Sequence, residues 1–150
     1  MDSSTKTDRQ RWLGVLARSD SDALADCLGA FAELPPYEIL RPAEPGAVMV
    51  QGRAGGDGAA FHLGEMTVTR CAVQLENGAL GVGYVQGRSL SHAEQAAVVD
   101  AMAQDPRMSS AVHEHIIAPL AAGQAAARRA RSAKAASTKV DFFTLVRGDN

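Results

Sequence analysis

Hydrophobic residues near the start of the chain recur at helical spacing. This spacing predicts a helix over residues 9–17. Ser21 or Asp22 can cap a second helix, which ends at Leu34-Pro35-Pro36 because proline cannot continue a helix. The apolar positions that define the two helical faces are Trp12, Leu13, Leu16, Leu24, Leu28 and Phe31.

The middle of the chain changes to a pattern typical of β-strands. Short strands are predicted at residues 37–40 and 47–51, the first stopped by Pro42 and Pro45. Residues 66–75 and 80–85 are rich in Val, Thr and Tyr, which are common in strands. Asn77-Gly78 lies between them and tolerates the positive φ angles of a two-residue turn. These residues therefore predict a β-hairpin.

A two-residue turn fixes which side chains share a face of that hairpin, because side chains alternate along a strand. On one face the pairs are Leu75 with Leu80, Val73 with Val82, Cys71 with Tyr84, Thr69 with Gln86 and Thr67 with Arg88. On the other face they are Ala72 with Gly83, Gln74 with Gly81, Arg70 with Val85 and Val68 with Gly87. The glycines would let a helix or another chain approach the backbone closely. A slip of one residue would exchange the two faces.

The last third of the chain reads mainly as helix. A helix begins at Ser91, where Glu94 completes a capping box, and ends near Pro106. Further helices are predicted over residues 109–118 and 120–136, followed by a strand at 140–146. The order of helices, strands and helices predicts a single α+β domain, residues 1–150, with an antiparallel sheet around the central hairpin. We expect residues 1–8 to be disordered.

Composition narrows the classes of function. The chain has 150 residues and a formal net charge of −2, which gives no support for broad nucleic-acid binding. No apolar run is long enough to span a membrane, and the start MDSSTKTDRQ lacks the apolar core of a secretory signal. We therefore expect a cytoplasmic protein. Cys27 and Cys71 are expected to be buried thiols, and two cysteines are too few for a four-cysteine iron–sulfur site.

A glycine-rich segment, residues 52–58, is a candidate anion site. Its glycines can let backbone N–H groups converge, and Arg53 adds positive charge. No Lys-Ser/Thr pair follows, so it is not a Walker A loop. Asp57 would repel a bare phosphate, although it can face a magnesium ion. The candidate ligand-binding residues here are Arg53, Gly55, Gly56 and Gly58, and the alternative is a tight connection between strands.

Other polar residues of the hairpin are candidates as well. Arg70, on the glycine face, would need a carboxylate or a ligand anion if it is partly buried. Glu65, Thr67 and Arg88 can together hold a polar ligand at the far end, or simply form an exposed sheet edge. No catalytic set with an assignable geometry is evident.

Two further patterns invite a functional interpretation. His113 and His115 would point about 200° apart on a helix, so they cannot bind one metal ion there, and we predict no metal site. Between His115 and Val140 there are basic residues but no acidic ones. Residues 120–139 are thus either a solvated helix or an arm that docks on an acidic partner.

Several segments together resemble a known family. They are RQRWLGVLAR, YEILRPAEPGAVMVQGRAGG, GEMTVTRCAV, GYVQGR, HAEQAAVVDAM and VDFFTLVRGDN. In this order they resemble the PhnG family, the G subunit of the carbon–phosphorus lyase core complex, over nearly the whole chain.

The resemblance implies a function within a complex. With partner subunits, the family serves a synthase that joins an alkylphosphonate to the ribose triphosphate of ATP and displaces adenine. The product is α-D-ribose 1-methylphosphonate 5-triphosphate. Mg-ATP is then a substrate of the complex, and we expect no cofactor on this chain alone. Two roles stay open: Arg53, Arg70 and Arg88 hold the triphosphate or phosphonate, or the chain is a structural subunit that shapes its partners' site.

Overall fold

The computed structural model describes residues 7–31 and 33–138. Two helices come first, α1 (Asp8–Arg18) and α2 (Ser21–Gly29). Three strands follow, β1 (Tyr37–Arg53), β2 (Ala60–Leu75) and β3 (Leu80–Gln86). The chain continues with α3 (Leu90–Gln104), α4 (Ser109–Val112) and α5 (Ala118–Ser137). The predicted α+β class with an antiparallel sheet is confirmed, with strand order β1-β2-β3.

Side chains just before each helix explain where the helices begin. Thr7 and Gln10 form a capping box at α1, which begins at Asp8, and the disorder expected for residues 1–8 stays a prediction. Asp20 caps α2, and Ser89 caps α3 by accepting a hydrogen bond from the His92 N–H. The caps predicted for α2 and α3 therefore lie one or two residues C-terminal to the observed ones. The other residues of 1–8, and the predicted strand at 140–146, lie outside the described residues.

The predicted break at the two prolines is wrong. β1 is one strand of 17 residues that passes through Pro42 and Pro45. Proline lacks the N–H that a central strand needs, but among the described residues β1 pairs with β2 alone and lies at the edge of the sheet. Register shifts between Ile39 and Arg41, and between Arg41 and Glu44, absorb the irregularity.

The hairpin turn also differs from the prediction. The Leu75 N–H donates to the Ala79 carbonyl at 3.0 Å, so the loop has three residues, with Gly78 at a φ of 88°. Asn77 does not adopt a positive φ. Its side chain instead accepts from the Ala79 N–H at 3.0 Å and donates to Asp105 at 2.6 Å. The extra loop residue shifts the register of β3 by one.

This shift exchanges the faces of β3. Gly81 pairs with Val73 and Gly83 with Cys71, so the glycines lie on the buried face of the sheet. A Cβ atom at Gly81 would lie 1.9 Å from the Ala97 carbonyl oxygen of α3, and one at Gly83 would lie 1.9 Å from that of Ala93. The predicted close approach is confirmed, and the element that approaches is α3 of the same chain.

The core lies between this face of the sheet and the helices. α3 is buried along most of its length, and its alanines permit contact with the glycines of β3. The largest fully buried apolar side chains are Leu16, Leu24, Val73, Val85, Val99, Met102, Val112 and Ile116. Cys71 is buried and Cys27 is half-buried, and both are free thiols. Within residues 7–31 and 33–138, no helix is long and apolar enough to cross a membrane.

The predicted helices at 109–118 and 120–136 are one continuous helical run. α4 passes through a π-helical turn, His113–Ile117, into α5. His113 packs edge-on against Trp12, with ring centroids 5.1 Å apart, whereas His115 is exposed. Gln124 donates to the Val15 carbonyl at 2.7 Å and fixes the first half of α5 on α1. Beyond Gln124 the helix is largely exposed, and the role of residues 120–139 in binding a partner stays a prediction.

Candidate functional site

The glycine-rich segment connects β1 to β2 at the far end of a long two-stranded projection. We call residues 47–53 of β1 and 60–67 of β2 the ribbon, because β3 pairs with β2 only as far as Val68. Seven residues at about 3.3 Å each give the ribbon a length of about 23 Å. Its tip is the loop that carries Arg53 and the three glycines predicted to bind a ligand.

The loop at the tip is held by its own residues. Gly55 and Gly56 have φ angles of 65° and 92°, which only glycine adopts without strain. The Gly58 N–H donates to the Ala54 carbonyl at 2.8 Å, and Arg53 Nη1 donates to the Gly58 carbonyl at 3.1 Å. These residues thus form a tight connection between β1 and β2. Anion binding by the loop stays a prediction.

Thr67 and Arg88 come together at the base of the ribbon. The Gly87 N–H donates to the Thr67 carbonyl at 3.0 Å, which brings the exposed Arg88 next to this strand. Glu65 is exposed and pairs with Met49 across the ribbon. Thr67 bonds to Gly87 and does not face Arg88 as the two-residue turn predicted, and the binding of a polar ligand by Glu65, Thr67 and Arg88 stays a prediction.

Arg70 lies on the opposite side of the sheet from the place we predicted. It pairs with Tyr84 and Glu44 and faces away from α3 and the glycines. Its guanidinium is 3.3 Å from Glu44, which also accepts from Arg41. Arg70 is half-exposed, but its Nε is buried and has no hydrogen-bond partner among the described residues.

The predicted ligand residues therefore form three separate groups. Arg53 and the loop glycines lie about 23 Å from Thr67 along the ribbon. Arg70 is three residues beyond Thr67 and points to the other face, because adjacent positions of a strand alternate. A single small ligand cannot contact all three groups within one copy of the chain.

The sequence analysis did not identify Asp100, a fully buried charged residue. Asp100 lies in α3 with no exposed surface and accepts from Arg9 at 2.8 and 3.2 Å, from the Trp12 indole at 2.8 Å and from the Val82 N–H at 2.9 Å. The hydrogen bonds to Asp100 raise the pKa of the Arg9 guanidinium. The signal available in the sequence was an aspartate flanked by the apolar residues 96–99 and 101–103 of α3. In the structure its hydrogen bonds join α3 to α1 and β3.

A second buried polar cluster joins α1 to α3. His92 Nε2 lies 3.1 Å from Ser19 Oγ and 3.2 Å from the Leu16 carbonyl. Burial lowers the pKa of His92, although the hydrogen bond to Leu16 acts in the opposite direction. No group of three or more potential metal ligands occurs in the part of the chain that the structure describes. In both clusters the hydrogen bonds given above join elements of the fold, which assigns the Asp100 carboxylate and His92 Nε2 a structural role.

Comparison with known proteins identifies the family. The family described as "Phosphonate metabolism protein PhnG" matches residues 7–148. The chain belongs to the PhnG family. It is also 37% identical over 145 residues to a Rhizobium meliloti (strain 1021) protein named "Alpha-D-ribose 1-methylphosphonate 5-triphosphate synthase subunit PhnG". That alignment covers 95% of this chain and 90% of the relative.

The part of the chain that matches the PhnG family contains the structural elements described above. Residues 7–148 contain the ribbon, the three-stranded sheet, the buried Asp100 and helix α5. The resemblance found in the sequence is therefore confirmed at the level of the family. The relative's name also describes a subunit, so the surfaces of a PhnG chain have to be considered with partners in mind.

Proposed function

We propose that this chain is a subunit of a synthase that forms α-D-ribose 1-methylphosphonate 5-triphosphate. The relative's name and the near-complete alignment support this proposal. In the reaction, an oxygen of the alkylphosphonate bonds to C1′ of ATP, the glycosidic bond breaks, and adenine leaves with a proton. Mg-ATP enters as a substrate of the complex, and the chain needs no cofactor of its own. Because ATP is a substrate, we place the complex in the cytoplasm.

We further propose that the chain is inactive alone and that its main contribution is structural. The observation that carries this proposal is the separation of Arg53, Thr67 with Arg88, and Arg70 into three groups. Departure of adenine requires a general acid for the base and stabilisation of a cationic sugar, usually by a carboxylate. The three groups of predicted ligand residues bring no such pair to one place. A partner subunit would therefore supply the reacting groups.

Reconstitution tests the proposal. The chain is co-expressed with its partner subunits, and adenine release and the phosphorus NMR signals of the product are measured with Mg-ATP and methylphosphonate. We expect product only when this chain is present with its partners. A complex that lacks the chain but synthesises at the full rate would refute the proposed function.

Arginine variants separate the structural role from direct contact with the substrate. We expect Arg53→Ala and Arg88→Ala to keep adenine release per assembled complex within about threefold of the unmodified complex. A side chain that stabilises developing charge typically contributes about 100-fold or more to kcat. A loss of that size in an intact complex would assign the residue to the active site. Arg11→Ala, an exposed arginine of α1, is the matched control.

A further inference from the structure

A cleft lies where the end of α1 and the start of α2 face α5. Its volume is about 560 Å³, which is in the range of about 300–1,000 Å³ that is usual for small-molecule sites. Small or aliphatic residues form the apolar part of its lining; they are Ala23, Pro119, Leu120, Gly123 and Ala127. A Cβ atom at Gly123 would meet no other atom within 4 Å, so the space beside this turn of α5 is open. The cleft therefore has room for a ligand.

Arginine dominates the charge of this cleft. Its charged lining residues are Arg18, Arg128, Arg131 and one acid, Asp20, which leaves an excess of two positive charges. Arg18 Nε donates to the Gly14 carbonyl at 3.0 Å, which holds this side chain against α1. Arg128 and Arg131 are three residues apart on α5 and therefore lie on the same side of the helix. In the described part of the chain, none of the three arginines forms an ion pair.

The acidic residues near the cleft do not cancel this charge. The Asp20 carboxylate caps α2 and accepts from the Asp22 N–H at 3.3 Å. Asp22 and Asp26, the other acidic residues of α2, are exposed and are not part of the lining. Helix α5 contains no acidic residue. The cleft thus favours an anion, and a single carboxylate beside phosphates is a common ligand of the magnesium ion that accompanies them.

The three arginines favour a ligand with several negative charges close together. A guanidinium group donates two parallel hydrogen bonds to phosphate oxygens. A triphosphate carries such oxygens along one short chain, so arginines from two walls of the cleft can contact it together. The apolar lining suits the uncharged remainder of a nucleotide. A carboxylate side chain of a protein carries one charge and would pair with only one of the three arginines.

We propose that this cleft binds the triphosphate group of a nucleotide, and that Arg18, Arg128 and Arg131 donate hydrogen bonds to its phosphate oxygens. The choice of ATP as that nucleotide rests on the proposed function, because the synthase reaction consumes Mg-ATP. None of these arginines belongs to the three groups of predicted ligand residues. The cleft contributes binding, and a partner subunit still supplies the groups that act on the glycosidic bond.

Titration calorimetry of the full chain with inorganic tripolyphosphate and magnesium tests the site. Arg131→Ala removes a lining arginine, and Arg129→Ala is the matched control, because Arg129 is an exposed arginine of the same helix that does not line the cleft. We expect the affinity to fall about tenfold in Arg131→Ala and less than about twofold in Arg129→Ala. Circular dichroism checks that both variants fold. Equal losses in the two variants, or no binding by the unmodified chain, would overturn the proposal.

Measurements on the assembled complex identify the source of the triphosphate. If it belongs to the substrate, Arg131→Ala raises the KM for ATP in product synthesis and Arg129→Ala does not. Weaker tripolyphosphate binding with an unchanged KM would assign the cleft to a nucleotide other than the substrate, and the triphosphate site would stand. Tripolyphosphate binding that is lost when the unmodified chain joins the complex would show that a partner covers the cleft and would overturn the proposal. If the complex binds tripolyphosphate in this cleft but makes no product, the proposed function fails while the site stands.

Discussion

Replacing Asp100 should destabilise the fold more than any exposed substitution. The side chain is fully buried and accepts hydrogen bonds from Arg9, Trp12 and Val82. Asp100→Ala leaves the buried indole and backbone N–H groups without acceptors, at about 1–3 kcal/mol each. The cost of unpairing Arg9 is smaller because its side chain is 42% exposed and water can solvate it. We therefore expect the free energy of unfolding to fall by about 3–5 kcal/mol.

That loss is a large part of the 5–15 kcal/mol that typically stabilises a domain. Urea unfolding measures it well, because Trp12 is the sole tryptophan and its indole contacts Asp100 directly. Asp100→Asn keeps the size but replaces one acceptor with a donor, so about 2 kcal/mol should be lost. Asp57→Ala, in the exposed loop, should change stability by less than about 0.5 kcal/mol. An Asp100→Ala protein that loses less than about 1 kcal/mol at an unchanged m value would refute this reasoning.

Further predictions follow from close packing and from titration. Gly81→Ala should cost more than about 2 kcal/mol in urea unfolding because its Cβ would overlap the α3 backbone, whereas Gly64→Ala, with open space around it, should be nearly neutral. Burial lowers the pKa of His92, so the unfolded chain binds the proton more readily, and the free energy of unfolding should fall as pH decreases below about 6.5. His92→Gln should make the free energy of unfolding less dependent on pH in this range. An unchanged pH dependence would contradict the role of His92. The hydrogen bond to Glu94 raises the pKa of Tyr37 to about 12. Glu94→Gln should therefore lower the pKa of Tyr37, which ultraviolet titration of the phenol measures. Identical titration curves for the two proteins would contradict this effect of Glu94.

Helices and fold class were accessible from the sequence because local signals agree with the tertiary structure. Trp12 and Leu16 define the buried face of α1, and Leu24 and Leu28 define that of α2. The caps were misplaced because serine and aspartate occur at several adjacent positions, and only packing selects among them. The length of β1 was missed for a different reason. Proline ends a central strand because it lacks the N–H that pairs with a neighbouring strand. β1 can contain two prolines because it lies at the edge of the sheet, and the local sequence does not show that position.

The register of β3 decides which side chains of this strand are buried. Asn77-Gly78 favours a two-residue turn, but the Asn77 amide is hydrogen-bonded to Asp105 at the end of α3, and the loop takes a third residue. Moving β3 by one position sends Gly81 and Gly83 against α3 and turns Val82 and Tyr84 outward. In the two-residue register, Val82 and Tyr84 would lie with the buried Val73 and Cys71. The glycines permit the helix to approach, and Val82 and Tyr84 are left at least 40% exposed on the other face of the sheet. The three-residue loop thus accounts both for the packing of α3 against the glycines of β3 and for the exposure of Val82 and Tyr84 on the other face of the sheet.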